Sequence, residues 1–263
     1  MPPKPNGRGS KADPPSSNSS TPPKPLRRSK GGAPAGGKGR KGNVLRRSAA
    51  GLAPRQAIRE WLLFAQVKGY RLVTGQRQFN FDLDRVNTLL EEEKSLYEFC
   101  RHKGIGSSEQ LTKLREGPAT REGFEHRVFF HLKHSPPRVT KITFPGRYGR
   151  IEHTPFLYLE RLALSRELFP VLDVRFEDCV ITNDRQYSII SSMQFFSGPP
   201  PTQSEIDKFL TRHGFSKLSS SSLTMDYTNG DLGIHLRDCH PKNWVKSRKG
   251  LLIPIDIVPE RIV

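Results

Sequence analysis

The stretch His235-Leu236-Arg237-Asp238-Cys239-His240-Pro241-Lys242-Asn243 decides how the rest of the chain is read. It sets a carboxylate, Asp238, and an amide, Asn243, five positions apart on either side of His240-Pro241. Where phosphoryl groups are handled, an acid at the first position faces a hydroxyl and an amide at the second turns to a divalent cation. Such chemistry needs a second carboxylate across a short hairpin. Thirteen residues after Asn243, the apolar run Leu251-Leu252-Ile253-Pro254-Ile255-Asp256-Ile257 offers Asp256 at the end of a predicted buried strand. A string of this form arises by chance in about two per thousand chains of this length, so its upstream partners carry the decision.

Those partners are a strand lysine for phosphate oxygens and a helix acid to hold that lysine. Lys141 lies in Val139-Thr140-Lys141-Ile142, a strand pattern, and Glu160 lies in Tyr158-Leu159-Glu160-Arg161 on the next predicted helix. Burying a lysine is costly unless an acid accompanies it, so the two are expected to pair. Upstream, Glu122-Gly123-Phe124-Glu125-His126-Arg127-Val128 occupies the place of a phosphate-covering turn. There Gly123 would permit close backbone approach and Val128 would pack on a base, although one glycine is not a glycine-rich loop. Ser191-Ser192-Met193-Gln194-Phe195-Phe196-Ser197-Gly198 reads as a strand running into a hinge, with Gln194 and Phe195 placed to receive an adenine.

The surrounding pattern is α+β. Ile58, Trp61, Leu62 and Ala65 recur at helical spacing and fade near Gly69. A second helix is predicted from about Asp84 to His102, with Val86, Leu89, Leu90, Leu96 and Phe99 as its apolar side. Ser107 or Ser108 would cap a third, ending before Gly117-Pro118. From about 121 the period shortens. Strands are expected over 127–132 and 138–143, a helix from Pro155 to Phe169, and strands over 173–182 and 186–193. Thr202 and Glu205 have the spacing of a capping box for a helix that stops before Gly214, and short strands and loops follow. The expected organisation is a basic tail over 1–52, a helical segment over 53–118 and a further domain over 119–263.

The run from about Gly123 to Ile257 resembles the serine/threonine/tyrosine-kinase domain found in polyvalent proteins of phages and mobile elements. The strings that carry the likeness are Gly123–Val128, Lys141-Ile142-Thr143, Tyr158-Leu159-Glu160-Arg161, Gln194–Gly198, Gly214-Phe215, Asp238–Asn243 and Pro254-Ile255-Asp256. The His240-Pro241 variant also looks like that of aminoglycoside and choline kinases. The resemblance implies a minimal protein-kinase-like fold, with an antiparallel N-lobe sheet, one helix and a short C-terminal lobe. It also implies ATP and Mg²⁺, with Asp238 as catalytic base, Asn243 and Asp256 as metal ligands, and Lys141 with Glu160 as the phosphate-holding pair. Ile257-Val258 stands where the usual metal motif has Phe-Gly, and seven residues follow Asp256. Nucleotide and metal binding are therefore better founded than phosphorylation of a protein.

Charge divides the chain. Of 43 Lys and Arg, twelve fall in residues 1–50 beside a single acid, Asp13, so this arm carries +11 of the formal +17. Its Pro, Gly and Ser content buries too little apolar surface to fold alone, and disorder is expected. A solvated spacer is the plain reading of the arm. Non-specific contact with nucleic-acid phosphates is the competing one, and the absence of aromatic residues from the arm argues against base stacking. Cys100, Cys179 and Cys239 lie far apart and are odd in number, which points away from a disulfide framework. No apolar run reaches membrane-span length, no signal-peptide core opens the chain, and the expected compartment is the cytoplasm. Zinc-ligand spacing and a Gly-x-Ser-x-Gly elbow are both absent from the sequence.

Two functional readings follow. In the first, the chain is an ATP- and Mg²⁺-dependent phosphotransferase whose acceptor is a protein or a small molecule. In the second, it is a catalytically idle nucleotide-binding adaptor tethered to nucleic acid or an acidic partner by its basic tail. A degenerate site usually loses some of its polar residues, so retention of all five favours the first.

Overall fold

The computed structural model describes residues 51–72, 83–106, 119–148, 154–182, 184–218 and 225–262. The basic tail and the helix predicted after Ser107 lie outside the described residues. Helix α1 spans Pro54–Lys68 and α2 Leu83–Lys103. Strands β1 (Arg121–Glu122), β2 (His126–His131) and β3 (Arg138–Thr143) follow, then α3 (Pro155–Leu168), β4 (Arg175–Ile181) and β5 (Tyr187–Gln194). These five strands form one antiparallel sheet in the order β1-β2-β3-β5-β4. Beyond it lie α4 (Gln203–Arg212), β6 (Ser216–Lys217), β7 (Tyr227–Asn229), β8 (Ile234–Arg237), β9 (Trp244–Lys246), β10 (Leu252–Pro254) and β11 (Val258–Arg261). They make a four-stranded sheet, β11-β8-β7-β6, and a β9–β10 hairpin.

Local chemistry accounts for the boundaries. Pro54 and Pro155 open α1 and α3, where a missing N–H costs nothing. Gly69 closes α1 in the left-handed region at φ 76°, a conformation that an added Cβ disfavours. Thr202 and Glu205 form the full capping box of α4. Along β5, Ile189 and Ile190 point to opposite faces, as the two-residue period of a strand requires, and each enters a different apolar cluster.

The inner face of the sheet packs under α1, α2 and α3. Trp61, Leu96, Phe99, Phe156, Leu159, Phe176 and Ile189 belong to that core and are almost wholly buried. The helices that the sequence sets apart over 53–118 thus share a core with α3 and the sheet. The expected apolar side of α2 is corrected in part: Leu96 and Phe99 are buried, whereas Val86 and Leu90 are exposed. Polar groups take the inner positions instead. Ser95 Oγ accepts from Trp61 Nε1 at 3.0 Å, and Glu92 Oε2 accepts from the backbone N–H of Phe156 at 3.1 Å. The first N–H groups of a helix have no partner within it, so the buried start of α3 needs an acceptor from elsewhere, and α2 supplies it.

A second apolar cluster joins the two halves. Val139, Leu164, Leu172 and Met193 from the first meet Leu236, Cys239, Trp244, Ile253 and Ile257 from the second. That shared core holds the end of β8 and the β9–β10 hairpin against β3 and α3.

Candidate functional site

Three pairings bring the carboxylates together. Strand β11 pairs with β8 in the register Val258↔Arg237, which sets Asp256 and Asp238 at the same end of that sheet. The β9–β10 hairpin pairs Trp244 with Pro254. At its open end the amides of Ile255 and Asp256 donate to the Asn243 carbonyl at 2.8 and 3.3 Å. Local backbone bonding alone therefore makes Asn243 and Asp256 neighbours.

Asp238 adopts φ 55°, the left-handed region that non-glycine residues seldom enter. The turn is held from several sides. Asn243 Nδ2 donates to both the carbonyl and Oδ2 of Asp238 at 2.8 Å, the Cys239 amide donates to Met225 O at 2.9 Å, and the Asp238 amide approaches Asp226 Oδ1 at 3.4 Å. Nearly half of the Asp238 side chain remains exposed, at 46%. Cys239 beside it is fully buried, and that burial pushes its thiol up, so it is an inert packing residue rather than a nucleophile.

From the other half, β3 delivers Lys141. Its Nζ donates to Asp256 Oδ1 at 2.7 Å and to the Ile255 carbonyl at 3.2 Å. Arg161 of α3 lies behind, with Nη2 4.0 Å from the same Asp256 oxygen. Packed surroundings oppose a charge on Asp256, although half of its side chain faces open space. Lys141 and Arg161 more than offset that opposition and hold its carboxyl well below the usual carboxylate range. Arg161 also donates from Nη1 to both oxygens of Glu125, at 2.8 and 3.1 Å. His126 Nε2 sits 2.9 Å from Tyr158 Oη. Burial, then the nearby charges of Lys141 and Arg161, push its pKa well down and keep it neutral.

These groups surround a cavity of about 400 Å³ lined by Gly123, Phe124, Glu125, His126, Val128, Lys141, Arg161, Asp226, Arg237, Asp238, Asp256 and Val258. Of the residues singled out from the sequence, Gly123, Val128, Lys141, Asp238 and Asp256 line it, and Asn243 stands directly behind Asp238. Glu160 does not pair with Lys141. The charged groups that act on it are Arg55, Arg261 and Glu167, and burial raises its pKa. One residue along a helix is a turn of about 100°, and the phase that buries Tyr158 and Leu159 brings Arg161, not Glu160, to the cavity. Gln194 and Phe195 are not among the lining residues. β5 still pairs with β3 at Arg138↔Gln194, and the Phe195 amide donates to Pro137 O at 2.9 Å. Glu125, Arg161, Asp226 and Arg237 escaped the sequence reading. Glu125 and Arg161 stand inside strings already singled out, and Arg237 adjoins Asp238, so adjacency was the available signal.

Among the described residues, no three His, Cys, Asp or Glu side chains are grouped to hold a metal ion by themselves. Mg²⁺ commonly takes one or two protein oxygens and completes its shell with water and phosphate. Asn243 would suit that manner of binding: its Nδ2 is committed to Asp238, so Oδ1 is the atom it could turn to a cation. Asp256 could offer a second oxygen through Oδ2, since Oδ1 is the atom that both cations approach.

Carboxylates, an amide and a strand lysine around one cavity are the kinds of group that kinase-like phosphotransfer employs. The model of the family described as serine/threonine/tyrosine kinase found in polyvalent proteins matches residues 90–260, and the chain belongs to that family. No curated protein and no solved structure matches the chain. The match begins within α2, so the family region takes in the part of that helix which supports α3.

Proposed function

We propose that the protein transfers the γ-phosphate of ATP to an alcohol group in a Mg²⁺-dependent reaction, on a minimal protein-kinase-like fold. The observation that carries this reading is the Lys141–Asp256 contact of 2.7 Å, which brings a strand lysine and a hairpin carboxylate, 115 residues apart, to one cavity beside Asp238 and Asn243. The strand order β1-β2-β3-β5-β4, with α3 inserted between β3 and β4, supports the fold assignment.

In this reading Asp238 faces the acceptor hydroxyl and takes its proton as the oxygen bonds to the γ-phosphorus, while the bond from that phosphorus to the ADP oxygen breaks. Lys141 moves its charge from Asp256 to the phosphate oxygens. Asp256 and Asn243 would hold Mg²⁺, which would supply charge neutralisation to the phosphates. Gly123 lets the β1–β2 turn approach, and Val128 packs beneath the base. With no carboxylate from α3 on Lys141, Asp256 serves in turn as its holder and as a metal ligand. Catalysis by this set is positioning and electrostatics, as phosphoryl transfer requires.

Among the described residues no helix is long and apolar enough to cross a membrane. In this reading the arm over 1–50 is a solvated spacer, with non-specific contact to nucleic-acid phosphates as its competing role. The test is transfer from γ-labelled ATP with Mg²⁺ or Mn²⁺, comparing the parent with Asp238→Asn. Label on the protein or on a generic acceptor, lost in the variant, supports the reading. Metal-dependent protection by ATP against heating without transfer would favour the idle nucleotide-binding adaptor.

A further inference from the structure

The lining of the cavity contains three permanent cations, Lys141, Arg161 and Arg237, against four carboxylates, Glu125, Asp226, Asp238 and Asp256. A polyphosphate entering this set meets an excess of negative charge. Two of the cations are already paired: Lys141 with Asp256 inside the cavity, and Arg237 with Glu260 at 2.9 Å outside its lining. Arg161 is engaged by Glu125, whose two oxygens close on one guanidinium nitrogen at 2.8 and 3.1 Å.

The two partners differ in how they are held. Arg161 belongs to a helix locked into the inner core, and its side chain is only 7% exposed although it lines the cavity. It cannot swing away. Glu125 belongs to the turn between β1 and β2, where its carbonyl accepts from the Phe144 amide at 2.9 Å and Arg147 stacks on Phe124; its side chain, 16% exposed, is the more open of the two partners. With the turn backbone held in place, the carboxylate can leave by rotation of the Glu125 side chain, whereas the core helix that carries Arg161 does not move. A carboxylate leaving this place would reach solvent at the cavity mouth, and the vacated position offers Arg161 to another anion.

We propose that Arg161 contacts a phosphate group of the bound nucleotide, and that Glu125 is an internal anion holding that place until the nucleotide displaces it. The inference rests on the nucleotide-binding reading above and adds to it a cation from α3 and a latch in the β1–β2 turn. Breaking the latch is a cost charged against binding. Removing the Glu125 charge should therefore tighten nucleotide affinity, by about fivefold for an ion pair of ordinary strength. A supporting role for Glu125 has the opposite sign: its loss would leave Arg161 buried without an acid and would weaken binding.

Calorimetric titration of the full chain with MgATP, in the parent, Glu125→Gln and Glu125→Asp, separates these. About fivefold tighter binding by Glu125→Gln is the expected result. Glu125→Asp, which keeps the charge but withdraws it by one methylene, should shift in the same direction and serves if the first variant does not fold. Normal binding by the parent with unchanged or weaker binding by the folded variants would overturn the latch and leave the proposed function standing. Failure of both variants to fold would assign Glu125 to structure and overturn the latch as well. A parent that does not bind MgATP would remove the nucleotide-binding reading and this inference together.

Discussion

Residues 121–194 bring two cations to the cavity on regular elements, Lys141 on β3 and Arg161 on α3, and only the β1–β2 turn lines it from a connection. Residues 225–258 bring two acids and an amide on connections: Asp238 follows β8, Asn243 ends a short 3-10 turn, and Asp256 follows β10. Two of the three cations thus come from the first half, on a strand and a helix, and three of the four acids come from the second, beside strand ends. A strand or helix spends its backbone polar groups internally and leaves the side chain to act alone. A loop residue such as Asp238 depends on neighbours to hold even its backbone, at φ 55°. Rigid elements supply fixed charge; connections supply groups that can serve a substrate and a metal in turn.

The sharpest test of that division is Asp238→Asn. Transfer should fall on the order of 10³-fold, the usual worth of a positioned base, while protection by MgATP against heating persists. A variant that still transfers phosphate would break the comparison, since the loop acid would then not do the chemistry.

Next in size are two tryptophans. Trp61 sits in the core beneath the helices and Trp244 in the cluster shared by both halves. Replacing either by Ala should cost about 3–5 kcal/mol. For a domain of this size that lowers Tm by roughly 10 °C. Trp61→Ala should keep the MgATP response at temperatures where it is folded, and Trp244→Ala should lose most of it. Equal loss in both, measured by thermal shift, would mean that the two halves do not act separately.

His126 gives a pH-dependent contrast. Its folded pKa is depressed, so its contribution is present above the ordinary value of about 6.5 and is lost as pH falls from there towards the folded value. Stability of the parent should decline by at most about 1.4 kcal/mol per pH unit from this group below pH 6.5. His126→Gln should flatten that limb in a series of Tm measurements from pH 7.5 to 5.

The smallest effect belongs to the cap of α4. Thr202→Ala removes the hydroxyl that accepts from the Glu205 amide and should cost about 1 kcal/mol. That lowers Tm by roughly 2–4 °C without altering the cavity.

Much of the fold was legible because it is written locally. The span Arg138–Thr143 is predicted and observed as a strand with the same ends, and α3 begins at the Pro155 that signals it. The capping box at Thr202 and Glu205 forms as its spacing requires. On α2 apolar spacing does not mark the whole of the buried face. Val86 and Leu90 are exposed, and Glu92 and Ser95 are buried because each meets a specific polar partner. Hydrophobic periodicity cannot register a buried acid whose partner is the start of another helix.

The candidate site divides in the same way. Asp238, Asn243 and Asp256 were placed together by sequence alone, because a five-residue loop and a hairpin bring them close through short-range backbone bonds. Which groups would face Lys141 was decided only in three dimensions. Asp256 takes it, Arg161 turns inward and Glu160 turns aside, because the phase of α3 follows from burying Phe156, Tyr158 and Leu159 together. Spacing along the chain determines neighbours within a turn or a hairpin; the face that a helix presents is settled by the packing of its whole length.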